Sequence, residues 1–200
     1  PNYAKAHNNL GNALDDLGQL DAAVKSYEQA IAINPNFAEA HNNLGNTLRN
    51  LGQLDVSIKS FEQALAIKPD YAEAHNNLGN ALKDLGQLDA SIKSFEMALA
   101  IKPDYAVTYN NLGLTLVELG RPDAALKSYE KAIAIKPDFD EAYRNLGGVM
   151  LYLKRMDEAM KSFERALAIN PDLDFILGHL LHTKMHLCLW DDLSSRLDEL

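Results

Sequence analysis

The chain has one cysteine, Cys188, which rules out an internal disulfide and fits a reducing, cytoplasmic setting. It lacks any excess of positive charge. Its net charge of −9 argues against nucleic acid, which needs clustered Lys and Arg to meet phosphates, and against anionic membrane surfaces. No apolar run is long enough to suggest a transmembrane helix. The best stretch, Phe175 to Trp190, is short and carries Lys184 and three histidines. No signal peptide, glycine-rich phosphate loop, nucleophile elbow or Cys–His pair stands out. These absences lead to the expectation that this stretch is not itself an enzyme and needs no cofactor.

What is present is repetition. Ala38 to Asn46 returns as Ala72 to Asn80, 34 residues on, and units 38–71 and 72–105 differ at only five positions. Units 4–37, 106–139 and 140–173 keep the period with more drift. Leu10, Leu44, Leu78, Leu112 and Leu146 form one series, and Gly11, Gly45, Gly79, Gly113 and Gly147 the next. Ala30, Ala64, Ala98, Ala132 and Ala166 form a third, and Pro35, Pro69, Pro103, Pro137 and Pro171 close the units.

Each unit reads as two helices. In unit 1, Ala6, Leu10, Ala13, Leu14 and Leu17 recur at three- and four-residue steps, one face of a helix A. Gly18, Gly52, Gly86 and Gly120 follow as stops, with Lys154 in that place in unit 5. Asp21, Asp55, Asp89, Asp123 and Asp157 suit the positive start of a helix B. Helix B carries Val24, Tyr27, Ile31 and their equivalents on its apolar face, and proline ends it. The Gly11 and Ala30 series are small where helices must approach closely. Lys25 and Glu28, repeated in every unit, are spaced for an i,i+3 pair worth a few tenths of a kcal/mol.

The 34-residue period carries Leu-Gly, a small residue at Ala23, Ser57, Ser91, Ala125 and Ala159, and an aromatic at Tyr27, Phe61, Phe95, Tyr129 and Phe163, then Ala and Pro. This pattern resembles the tetratricopeptide repeat (TPR) family over residues 4–173. The tryptophan common early in helix A is replaced by His7, His41 and His75, then Tyr109 and Tyr143. The resemblance implies an all-α fold: a right-handed superhelical solenoid of five helix–turn–helix repeats with helices A on the concave side. The physical basis is that one helical pair cannot bury its apolar face alone. Residues 1–3 match the tail of a preceding repeat, which would leave apolar surface open to end-to-end self-association. Residues 174–200 read as a C-terminal capping helix, with the start of a linker to a missing domain.

Counted from the first residue of each unit, positions 2, 5, 6, 9, 12 and 13 are expected to point away from the core. Asparagine dominates there: Asn8, Asn42, Asn76 and Asn110 at position 5, Asn9, Asn43, Asn77, Asn111 and Asn145 at position 6, Asn12, Asn46 and Asn80 at position 9. Asn costs roughly 0.5 kcal/mol against Ala inside a helix. Three readings account for it: copying between near-identical repeats, hydrogen bonding from repeat to repeat, and recognition of a protein or peptide ligand. A carboxamide both donates and accepts, so a ladder of them could pair with the backbone of an extended peptide whatever its sequence. The ladder reading is favoured because position 6 keeps Asn111 and Asn145 while its neighbours drift to Leu114, Val117, Arg144, Gly148 and Leu151.

Some TPR arrays hold C-terminal carboxylates in a clamp of Lys, Arg and Asn. Asn12 and Asn43 match its asparagines, but the cationic places carry Asn8, Glu73 and Asn77, so that clamp is set aside. His179, His182, His186 and Cys188 have spacing that could hold zinc, yet nothing completes a site, and they read as an ordinary helix. The segment Leu180 to Asp192 is similar to the junction in O-linked N-acetylglucosamine transferase-like proteins, where a repeat array runs into glycosyltransferase domains. That resemblance implies the substrate-recruiting region of a larger transferase, with none of its catalytic residues here.

Overall fold

The computed structural model describes residues 2–172 together with Gly178, Leu180, Leu181 and Thr183. The described residues form ten α-helices and no strand: α1 (Asn2–Asp16), α2 (Leu20–Ile33), α3 (Ala38–Asn50), α4 (Leu54–Ile67), α5 (Ala72–Asp84), α6 (Leu88–Ile101), α7 (Ala106–Glu118), α8 (Pro122–Ile135), α9 (Asp140–Tyr152) and α10 (Met156–Ile169). The chain divides into two units. Pro1–Pro103 holds the pairs α1/α2, α3/α4 and α5/α6, and Asp104–Leu200 holds α7/α8 and α9/α10.

Periodicity explains each pair. In α3, Ala40, Leu44, Thr47 and Leu48 are buried at helical spacing, and in α4 so are Ser57, Ser60, Phe61 and Ala64. The aromatic of each helix B lies against the glycine of its helix A. A Cβ on Gly45 would come within 2.7–2.9 Å of the Phe61 ring. The Ala30 series is fully buried. Neighbouring repeats share this core: Ala23 and Tyr27 of α2 cluster with Leu44 and Leu48 of α3. His41 and His75 are half-buried, and their Nε2 atoms lie 3.0 Å from the carbonyls of Pro35 and Pro69.

The A helices end in one repeated turn. Gly52 N–H donates to Arg49 and Gln53 N–H to Leu48, and Gly52 takes φ of +73°. In repeat 5 the same bonds run from Lys154 to Leu151 and from Arg155 to Met150, so Lys154 is held at φ of +60°. A side chain in this region costs about 1 kcal/mol. Lys154→Gly is therefore expected to stabilise the Asp104–Leu200 unit by about that much in urea titration. An unchanged or lower midpoint would show that the turn tolerates lysine without strain.

Asn2 and Tyr3 lie in the first turn of α1. Two expectations need correction or limits. Lys25 and Glu28 form no ion pair, since both side chains are exposed and little is gained by fixing them. The zinc-like histidine group and most of the capping helix and junction, residues 174–200, lie outside the described residues. Of that stretch, Leu180, Leu181 and Thr183 are buried.

Candidate ligand-binding face of the A helices

Within each unit the A helices are direct neighbours: α1, α3 and α5 in the first, α7 and α9 in the second. The polar side chains expected on their outer face divide into two sets. Asn8, Asn42, Asn76 and Asn110 are only 1, 5, 5 and 3% exposed. The expectation that these four face a ligand is thus corrected: they lie inside the stack.

The position-6 asparagines reach back to them. Asn43 Nδ2 donates to Asn8 Oδ1 at 3.1 Å and to Asn12 Oδ1 at 3.0 Å. Asn77 Nδ2 donates to Asn42 Oδ1 at 3.0 Å, and in the second unit Asn145 Nδ2 donates to Asn110 Oδ1 at 2.9 Å. Each bond spans adjacent repeats, so the geometry realises the repeat-to-repeat reading for these residues. Both amide protons of Asn43 are engaged. Thr47 adds a bond to Asp15 at 2.6 Å, and Arg49 an ion pair with Asp84 at 2.6 Å. Asn12 also accepts the Tyr27 hydroxyl at 2.8 Å. Burial, with Asp15 nearby, pushes the Tyr27 hydroxyl pKa up to about 12.

A second set makes no such bond. Asn9 is exposed, and Asn46 and Asn80 are half-buried. None of the three has a hydrogen-bond partner among the described residues. Asn111 is half-buried and engaged with its surroundings.

The second unit replaces this polar face with a cleft of about 440 Å³. Leu114 and Val117 of α7 face Gly148 and Tyr152 of α9, with the buried rings of Tyr129 and Phe163 beneath. Val117 is 41% and Tyr152 77% exposed, leaving apolar surface open. In sequence, Leu114, Val117 and Gly148 stand only as drift around the ladder. Leu114 and Gly148 share one signal, the loss of asparagine at position 9 in both repeats that flank the cleft. Among the described residues no group of three His, Cys, Asp or Glu could hold a metal ion, and no helix is long and apolar enough to cross a membrane.

Comparison with known proteins agrees with this architecture. Family models described as TPR repeat match residues 11–52 and 45–86, and models described as tetratricopeptide repeat match residues 70–138 and 110–174. No curated protein sequence matches. The crystal structure of MamA is 32% identical, covers 80% of this chain and 94% of its own, and superposes with a TM-score of 0.73. TTC0263, a thermophilic TPR protein of Thermus thermophilus, is 26% identical over 91% of this chain and 99% of its own, with a TM-score of 0.74. YrrB, described as a TPR protein with an unusual peptide-binding site, shares the fold at 22% identity, with 86 and 89% coverage and a TM-score of 0.69. The chain belongs to the tetratricopeptide repeat family.

Proposed function

We propose that this chain is a non-catalytic scaffold that binds an extended segment of a partner protein along the outer face of its A helices. The observation that carries this reading is the pair Asn46 and Asn80. Their carboxamides are half-buried on one face, one repeat apart, with no hydrogen-bond partner among the described residues. A groove-lining amide left without a partner can donate to a peptide C=O and accept from its N–H. Asn145 keeps one amide proton and its carbonyl beside the cleft. The asparagine ladder is thereby divided: Asn43, Asn77 and Asn145 join repeats, with Asn12 tied in as well, and Asn46 and Asn80 are left for the ligand.

A peptide array probed with the chain tests this, followed by hydrogen exchange on the tightest binder. Protection is expected on α1, α3, α5, α7 and α9. The double variant Asn46→Ala, Asn80→Ala should bind about tenfold more weakly with no loss of thermal midpoint, because two hydrogen bonds to ligand disappear and alanine is the better helix former. Protection confined to the B helices, or no peptide bound, would replace this reading with a self-associating structural scaffold. The glycosyltransferase-parent and cytoplasmic readings rest on residues 180–192 and on the single cysteine, and neither bears on how this face works.

A further inference from the structure

Helix α1 exposes an apolar stripe whose counterpart in α3 is covered. Tyr3, Ala6, Leu10, Ala13 and Leu17 recur at alternating steps of three and four residues, which makes them one seam of a helix. Leu17 keeps that spacing because its N–H still donates to Ala13. In α3 and its flanks the same places are Phe37, Ala40, Leu44, Thr47 and Leu51. Ala40, Leu44 and Thr47 are buried and Phe37 and Leu51 half-buried, with Ala23 and Tyr27 of α2 packed in one cluster with Leu44. In α1 all five are exposed, Tyr3 at 77%, Leu10 at 50% and Leu17 at 71%. Leu14, off this seam, packs inward against the α2–α3 core.

A contiguous exposed seam of this kind marks a contact surface. The charges beside it indicate what fits there. At about 100° per residue, Lys5 and Asp16 fall on one flank of the seam, near its two ends, with Asn9 and Asn12 between them. Both charged side chains are exposed, and neither has an ion-pair partner among the described residues. The opposite flank carries His7 and Leu14 and no carboxylate.

A second copy of α1 laid antiparallel across the seam, by a two-fold axis beside Leu10, satisfies both features. Leu10 then packs on Leu10 of the second copy, and Tyr3 on its Leu17. Ala6 and Ala13, small and between the large residues, let the two helices approach closely. Such a rotation keeps each flank on its own side. Lys5 of each copy therefore lies level with Asp16 of the other, and both charges find an opposite partner. A parallel pairing sets Lys5 and Asp16 against the flank of His7 and Leu14, and joins no carboxylate to Lys5.

We propose that this seam is a self-recognition surface, through which two copies of the chain pair α1 against α1 as an antiparallel two-fold dimer closed by two Lys5–Asp16 ion pairs. A two-fold contact uses the same patch on both copies and closes on itself, so it yields a dimer rather than a fibre. One helix from each copy makes an interface at the small end of the specific range, which sets the expected dissociation constant in the micromolar range. The same rotation leaves Asn9 and Asn12 of both copies on one side, so the A-helix faces of the two copies run on into each other across the contact. The pairing itself does not depend on what that face binds.

Sedimentation velocity on the full chain tests this, at low ionic strength and from about 1 μM to about 1 mM. A monomer–dimer equilibrium is expected, with nothing larger than a dimer. Leu10→Asp changes an exposed residue, so circular dichroism should stay the same. It should weaken the dimer about a hundredfold, because the two-fold sets the new carboxylates against each other. Lys5→Glu and Asp16→Lys should each weaken it about tenfold by placing like charges together. The double variant restores opposite charges in swapped places and should return to within about threefold of the original affinity. A chain that stays monomeric throughout overturns the proposal. So do an open series of larger species, a dimer that survives Leu10→Asp, and a double variant no tighter than the single ones. None of these outcomes touches the peptide-binding reading, which the peptide array decides separately.

Discussion

Gly147→Ala lowers stability by about 1–2 kcal/mol, whereas Gly148→Ala, one residue along the same helix, raises it by about 0.5–1 kcal/mol. Helix propensity predicts a gain at both positions, since alanine is favoured over glycine by about 1 kcal/mol inside a helix. Packing reverses the sign at one of them. A Cβ on Gly147 would lie 2.6–2.9 Å from three ring atoms of Phe163, which is itself fully buried and cannot move aside. A Cβ on Gly148 faces the cleft and touches nothing. Urea denaturation followed by circular dichroism reads both variants. Phe163→Leu in the Gly147→Ala background should recover part of the loss, because the smaller side chain makes room for the new methyl group. If Gly147→Ala is neutral or stabilising, the ring does not fix that glycine. The same logic extends to Gly11, Gly45, Gly79 and Gly113, each set against the aromatic of its own helix B.

These contacts mark where the sequence was legible. The glycine, alanine and aromatic series recur in register, and any packing that satisfies one repeat satisfies all. Helix pairs, turns and the intra-repeat core therefore follow from the 34-residue period. Position 5 did not follow. On the wheel of a single helix Asn8 falls beside other polar residues and looks solvent-facing. It is covered by the next helix A, whose Asn43 it accepts. Burial imposed by a neighbouring repeat is invisible to a periodicity count within one repeat. The cleft was missed for a related reason. Leu114 and Gly148 each look like isolated drift, and only their apposition across α7 and α9 makes an opening.

Asn43→Ala is expected to cost about 2 kcal/mol, against a change within about 0.5 kcal/mol for Asn9→Ala. Both replace a position-6 asparagine with a better helix former, so a purely local view predicts a small gain for each. Asn43 supplies both amide protons to the preceding repeat, and Asn8, which receives one of them, is 1% exposed. Removing the donor leaves that buried carbonyl without its inter-repeat bond. Asn9 is exposed and bonds to nothing among the described residues. The asymmetry of buried hydrogen bonds supplies a further check. Asn8→Ala combined with Asn43→Ala should cost less than the sum of the two single changes, because no orphaned amide then remains at that contact. Thermal and urea midpoints of the three variants measure this. Additive losses would mean that the two side chains do not depend on each other and that the asparagine row is not a stacking device. Coupled losses would explain why asparagine persists at position 6 as far as Asn145 while position 9 has changed. Asn43, Asn77 and Asn145 are tied to the previous repeat, whereas Asn46 and Asn80 make no such bond.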